Sequence, residues 1–555
     1  MKRKKRSKMK ASELFVKCLE NEGVQYIFGV PGEETIDLTD SLSRSNIKFI
    51  VTRHEQSAAF MADVYGRLTH KPGVCLATLG PGATNLITGV ADAQLDRSPL
   101  VAITGQSGLE KTHKESHQYI DIVATFKNFT SWNSKITRSD FIPEIVRKAF
   151  DIAMDRPGAV HIELPEDVAQ EESQKEPLSK ARSSHLTRYD EGELKKAAKM
   201  IEESSAAIIL AGNGVFRESA SSELRRFVES TGLPVVTTFM GKGAIAADDE
   251  HYLGSMGIKD RDHIMCGFDM ADLVICVGFD YVEYSPRFWN HGGDKKIIHI
   301  HSQHPEIDER YIPDIQLTGN IRQALFHLTQ QCDFKMEMAD KLKKVRQRMQ
   351  AELEDFKYDL SFPMKPQKII YDIRECLDRE DILVSDVGAH KLWVGRLFPA
   401  YEANTVFISN GLASMGFALP GAIAASFLKP ERKVVAVAGD GGFLMNVQEL
   451  ETAVRLGCDL VIVIFNDSKY GLIEWHEKKK FNETIGIDFN NPDFEMLARS
   501  FGANGMRIEK AEDLKPQLQE ALEQGGVWIL DVKVDYSENI KLTEKLSANH
   551  CCCDK

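Results

Sequence analysis

Two aspartates punctuate the stretch Lys433–Leu472, KVVAVAGDGGFLMNVQELETAVRLGCDLVIVIFNDSKYGL. An apolar run ends in Gly439-Asp440-Gly441-Gly442, helical periodicity follows, and a second apolar run ends in Asn466-Asp467. The pattern predicts strand, glycine turn, helix, strand: one βαβ unit whose parallel strands end on the same sheet edge. Open α/β sheets bind ligands at that edge, and the crossover brings Asp440 beside Asp467. Two hard carboxylates next to the amides of Gly441 and Gly442 suit a Mg²⁺ carrying a diphosphate. Taken singly, Asp440 reads equally as a helix cap and Asp467 as a turn residue. At the ends of neighbouring strands, the pair points to a metal.

A third acid stands early in the chain. Ile47–Arg53 (IKFIVTR) predicts a strand, and His54-Glu55-Gln56-Ser57-Ala58-Ala59 predicts a helix start behind it. A glutamate in a first helical turn is favoured by the helix dipole alone. Glu55 therefore has a structural reading beside any chemical one.

The elements that must hold these acids are α/β throughout. The 555 residues suggest three or four domains, and 43% apolar with 27% charged residues is ordinary for a globular chain. The composition divides the chain into a disordered basic tail at 1–9, domains at 10–170, 189–334 and 361–536, a polar linker at 171–188, a charged helical linker at 335–360, and a tail at 537–555. Each domain alternates apolar runs with helical patterns, which predicts three doubly wound parallel sheets. The first and third domains echo each other: Gly73–Gln106 repeats the strand, glycine turn, helix, strand order of 433–467 at nearly the same length. Two copies of one module flanking a third predict a site shared between the copies.

A net charge of −13 argues against nucleic acid or an anionic membrane as partner. The basic start MKRKKRSKMK precedes an amphipathic helix rather than a signal-peptide core, and Met9 is an alternative start. The greasiest stretch, Leu412–Leu428, carries Gly416, Pro420 and Gly421 and falls short of a span. The ten cysteines are scattered without CxxC, so reduced thiols and a cytoplasmic location are expected. Cys551-Cys552-Cys553 sits in the polar tail, where a soft metal is the alternative to an unstructured end.

The segment 433–472 resembles the GDG…N signature of thiamine diphosphate enzymes, and the resemblance covers nearly the whole chain between its tails. It implies Mg²⁺ ligands at Asp440, Asp467 and the backbone carbonyl of Lys469, with Gly441 and Gly442 against the diphosphate. Asp467 stands where many members carry Asn. The RHEQ run matches the position whose glutamate bonds the aminopyrimidine ring, so Glu55 would share a proton with the cofactor and activate it for attack on a 2-oxo acid. Leu412–Gly416 (LASMG) matches the family's L-x-x-M-G at a helix start, where Met415 would wedge the cofactor into its bent form; a methionine there also serves as core filler. Asp386-Val387-Gly388-Ala389-His390 resembles the D-[VI]-G-x-H loop beside the diphosphate, carrying over Gly388 and His390, with Ala389 where Gln is common. A satisfied core histidine is the other reading of His390.

Within that family, Pro31-Gly32 and Gln118 match positions lining the reacting carbon in acetolactate synthases, although Glu33-Glu34 is unusual for their biosynthetic branch. Val277–Asn290 resembles the GYD-x-x-EY-x-P-x-FWN pattern of the catabolic, FAD-independent type rather than an FAD-binding stretch. The resemblance implies decarboxylation of pyruvate and carboligation to a second 2-oxo acid, giving 2-acetolactate. It also implies thiamine diphosphate and Mg²⁺ without FAD, and a homodimer or homotetramer with sites between subunits. The alternatives are a 2-oxo acid decarboxylase, for which His113 and His117 would be the histidine pair, and a non-catalytic nucleotide- or FAD-binding regulatory protein.

Overall fold

A parallel sheet covered on both faces requires continuous apolar strands, and the chain supplies three sets of them. The computed structural model describes residues 8–179, 189–258 and 262–542. Three six-stranded sheets result, with every pairing parallel. The first holds β1 (Tyr26–Gly29), β2 (Lys48–Val51), β3 (Gly73–Ala77), β4 (Leu100–Gln106), β5 (Trp132–Lys135) and β6 (Ala159–Pro165), in the order β2-β1-β3-β4-β6-β5. The second holds β7 (Ala207–Ala211), β8 (Val235–Thr238), β9 (Tyr252–Met256), β10 (Leu273–Val277), β11 (Lys296–His301) and β12 (Ile315–Thr318), in the order β9-β8-β7-β10-β11-β12. The third holds β13 (Ile382–Ser385), β14 (Val406–Ile408), β15 (Val434–Gly439), β16 (Leu460–Asn466), β17 (Asn504–Ile508) and β18 (Val527–Lys533), in the order β14-β13-β15-β16-β18-β17. First and third sheets have the same wiring, so the echo seen in one glycine turn extends to a whole domain.

The chain forms two compact units. One is Met1–Ser184 with Gly411–Lys429 and Asn446–Cys458; the other is His185–Asn410 with Pro430–Met445 and Asp459–Lys555. In the first unit, the helix Ala418–Leu428 packs on the helix Glu55–Thr69, with Phe60 and Phe417 edge to face at 5.5 Å. In the second, one apolar cluster runs from Ile208 and Val236 of the middle sheet to Val463 and Leu530 of the third.

Two connecting segments carry more structure than their composition predicts. Met9–Lys10 pairs antiparallel with Glu172–Ser173, and Ala11 donates its N–H to the Glu171 carbonyl at 2.8 Å. The rest of the expected basic tail (1–7), part of the expected linker (180–188) and Cys551–Cys553 lie outside the described residues. The charged helix Asp340–Glu354 buries Leu342, Val345, Met349 and Leu353, one stripe at helical spacing, against β9. It is an amphipathic layer of the second unit rather than a solvated tether.

Candidate functional site

In the third sheet, β13 and β15 are neighbours from which the chain departs to opposite sides, the place where such sheets form a crevice. The segments leaving these strands are Asp386-Val387-Gly388 and the short helix Asp440–Met445, which follows Gly439 directly where the sequence predicts a glycine turn. On the far side of β15, the pairing of Gly439 with Phe465 sets Asp440 level with Asn466, so Asp467 leaves β16 beside it. Asp440 is buried and held from three directions. Oδ2 accepts from the Ser468 N–H and from Asn491 Nδ2, both at 2.7 Å, and Oδ1 accepts from the Gly441 N–H at 2.9 Å. Ser468 reaches it by taking a left-handed φ of 57°, a conformation uncommon for a residue with a side chain. Both glycines are needed for space: a Cβ on Gly442 would lie 2.7 Å from Asp386 Oδ1, and one on Gly441 would lie 3.0 Å from the Tyr470 ring.

The electrostatics of this edge call for a cation. Burial raises the Asp440 carboxyl above its ordinary value. Burial, and then the neighbouring Asp440 charge, push Asp467 up to about 7. Two buried carboxylates, one raised further by the charge of the other, are what a dication would relieve. Among the described residues, no group of three or more His, Cys, Asp or Glu side chains is arranged to hold a metal. Two carboxylates and the Lys469 carbonyl would form a smaller set, leaving positions for phosphate oxygens and water, as Mg²⁺ favours. Asp467 and Lys469 also line a cavity of about 730 Å³, with Trp475, Lys533 and Tyr536.

Gly388 precedes the helix Ala389–Leu397, and His390 lies in its first turn. Burial holds the imidazole neutral, pushed down to about 3, and its buried Nε2 makes no hydrogen bond among the described residues. A satisfied core histidine would pair that atom; an unpaired one on this loop fits a missing polar group.

In the first unit, the equivalent edge gathers Glu55, Gly32 and Gln118 around one turn, Thr78–Gly82. Glu55 opens its helix behind His54, whose Nδ1 accepts from the Gln56 N–H at 3.1 Å. Its carboxylate is buried, and Oε2 accepts from Asn85 Nδ2 at 2.9 Å. A Cβ on Gly82 would lie 3.3 Å from Glu55 Oε1, and one on Gly80 would lie 2.7 Å from the Gln118 carbonyl; one on Gly32 would collide with Thr78. Gln118 has a left-handed φ of 57°. LASMG lies in the turn before the helix, which begins at Ala418, because Ala413 and Gly416 take φ of 56° and 88°. Met415 is half-buried there rather than packed in the core. The candidate residues thus fall into two sets, one in each unit.

Sequence reasoning missed the residues that fix the Glu55 turn. Glu449 is fully buried and accepts from the N–H groups of Arg53 and His54, each at 3.0 Å, and from Thr452 Oγ1 at 2.6 Å. Asn446 links Ser57 Oγ, at 3.1 Å, to the Gly416 carbonyl, at 2.7 Å. It thereby ties the Glu55 helix to the Met415 turn. No local pattern signals a partnership across nearly four hundred residues.

The middle sheet has its own crevice, between β7 and β10. There the chain fills the place itself. Glu283 is buried and accepts from the Asn213 N–H at 3.0 Å, the Asp280 N–H at 3.2 Å and the Thr238 hydroxyl.

Three parallel sheets with this pair of strand-edge sites define an α/β enzyme architecture of thiamine-dependent type. The thiamine pyrophosphate enzyme family matches the chain over residues 9–125 (N-terminal TPP binding domain), 194–328 (central domain) and 386–532 (C-terminal TPP binding domain). The chain belongs to the thiamine pyrophosphate enzyme family. It is 36% identical to the acetolactate synthase of Bacillus subtilis (strain 168), over 96% of this chain and 95% of that protein. It is 35% identical to the catabolic acetolactate synthase of Raoultella terrigena (96% and 97% covered) and to the probable acetolactate synthase large subunit of Methanocaldococcus jannaschii (96% and 93%). Among the described residues, no helix is long and apolar enough to cross a membrane.

Proposed function

We propose that the protein is an acetolactate synthase: with thiamine diphosphate and Mg²⁺, it decarboxylates pyruvate and joins the remaining two-carbon unit to a second 2-oxo acid. The observation that carries this reading is the presence of a strand-edge site on each of two sheets of matching topology. One presents a buried carboxylate, Glu55, and the other two carboxylates raised by burial, Asp440 and Asp467. Relatedness to acetolactate synthases over almost the full chain supports the substrate class.

In this reading, Asp440, Asp467 and the Lys469 carbonyl hold the cation, and Gly441, Gly442, Gly388 and His390 receive the diphosphate. Met415 wedges the cofactor, and Glu55 holds and returns a proton at the pyrimidine ring. When bound, thiamine diphosphate supplies the electron sink for decarboxylation. Gly32 and Gln118 orient the 2-oxo acid beside the Thr78–Gly82 turn. Asn85 keeps the Glu55 carboxylate aimed, and burial keeps water from competing for its proton.

Purified protein given pyruvate, thiamine diphosphate and Mg²⁺ is expected to form acetolactate as its main product. Acetaldehyde instead would assign it as a decarboxylase, and no turnover would overturn the enzymatic reading. The site is also proposed to join Glu55 of one subunit with Asp440 of another. Mixing inactive Glu55→Gln and Asp440→Ala proteins under subunit exchange should then restore part of the activity. Demonstrated exchange without recovery overturns the shared site.

A further inference from the structure

A second cavity, about 330 Å³, lies in the second unit between the end of the middle sheet and the amphipathic helix Asp340–Glu354. Its walls are largely apolar, formed by Leu253, Met349, Leu353, Leu397 and Phe398. Three cations line it, Lys242, Arg346 and Arg396, and the first two lack a carboxylate within ion-pair distance among the described residues. Lys242 follows β8 in the turn Gly241-Lys242-Gly243, where Gly243 takes a φ of 89°. The lysine is only 3% exposed. Its Nζ donates to Ser255 Oγ at 3.1 Å, and that hydroxyl is shared with Thr237 Oγ1 at 2.8 Å and the Tyr252 hydroxyl at 2.7 Å. The ammonium thus meets one member of a cluster of three neutral hydroxyls and, among the described residues, no carboxylate. Arg346, from the helix, donates to the carbonyls of Asp249, at 3.2 Å, and Asp248, at 3.1 Å, and to Gln350 Oε1 at 3.4 Å, with no carboxylate within ion-pair distance among the described residues; the Asp248 carboxylate feels its charge from farther off.

The other charged groups on this wall are accounted for. Arg396 pairs with Asp262 at 2.6 Å and Glu352 at 2.5 Å, and Asp248 pairs with Arg379 at 2.7 Å. Glu354 is exposed at the rim. Buried charges are ordinarily paired. Burial alone pushes Lys242 down to about 7, so at neutral pH an anion is what would keep it charged.

We propose that this cavity is a binding site for a small monocarboxylate with an apolar body, its carboxylate set between Lys242 and Arg346 and its body against Leu253, Met349 and Phe398. The volume suits a ligand of that size, and the charge placement suits one carboxylate rather than a polyanion. Such a ligand would bridge the middle sheet and the charged helix, and its cavity shares no lining residue with the cavity at Asp467 and Lys469.

The test is calorimetric titration of the full-length, cofactor-loaded enzyme with 3-phenylpropionate, and with its neutral amide. Binding of one molecule per chain is expected, weakened at least tenfold by Lys242→Met, by Arg346→Gln and by replacing the acid with the amide. Arg346 is only partly buried, so Arg346→Gln decides the matter if Lys242→Met fails to fold. Two outcomes overturn the proposal: no binding at millimolar ligand, or unchanged affinity in the folded variants.

Discussion

The crevices of the middle and third sheets have the same backbone origin and opposite chemistry. In each, two parallel strands part beside glycines and main-chain N–H groups point toward the gap. At the middle crevice, the chain supplies its own acceptor, Glu283, which takes the Asn213 and Asp280 amides and the Thr238 hydroxyl; burial, then the Asp280 charge, push its carboxyl up to about 8. At the third crevice, the Asp440 charge raises Asp467, and His390 leaves a buried nitrogen unpaired among the described residues. Strand-edge geometry offers a place for a ligand; the side chains on the turn decide whether the place is closed or waiting.

The largest effect is expected at Glu55, the acid proposed to face the pyrimidine. Glu55→Gln keeps the shape and the Asn85 contact but removes the proton carrier. Turnover should fall about 10³-fold with an unchanged melting temperature. Near-normal kcat would remove Glu55 from the chemistry. Next comes the open crevice: Asp440→Ala should weaken thiamine diphosphate binding at fixed Mg²⁺ by at least about a hundredfold, read by calorimetry. Unchanged affinity would mean that the two aspartates are structural.

Glu449→Ala frees the Arg53 and His54 amides without touching the proposed ligand. It should lower kcat about 10- to 100-fold through misplacement of Glu55, while Glu449→Gln, which can still accept both amides, recovers most of it. Equal losses in both variants would rule out a positioning role. At the closed crevice, Glu283→Ala strands three buried donors and should cost about 2–3 kcal/mol of stability by calorimetric unfolding, with kcat little changed in the folded protein. The smallest effect is an absence: the purified enzyme should show no flavin absorbance, and a stoichiometric flavin would mean that Glu283 yields its place.

What was legible in the sequence was local. Asp440 and Asp467 end apolar runs within one βαβ unit, and Glu55 opens a helix behind an apolar run, so period and turn chemistry place them unaided. The three-sheet architecture was legible for the same reason. The rest depends on residues remote in sequence or on backbone detail. Asn491 reaches Asp440 from a separate loop, and Glu449 reaches Arg53 and His54 from the other end of the chain. The left-handed turns at Ala413, Gly416 and Ser468 delay a helix or aim an amide in ways that no propensity predicts. Charge misled at Asp340–Glu354, where four apolar residues outweigh a charged majority.

The composition of the first unit sets an order on folding. Its own sheet ends at Pro165, but the helices Ala418–Leu428 and Glu449–Leu456, with Phe417, Asn446 and Glu449, belong to the same packed body. During synthesis, the first sheet therefore waits through the whole middle domain before Phe60 and Ser57 and the Arg53 and His54 amides find their partners. Long-range closure of this kind is slow and leaves apolar surface uncovered in the meantime. An N-terminal fragment ending near residue 184 lacks those partners at any time, and in the nascent chain they are complete only once residue 458 has been made.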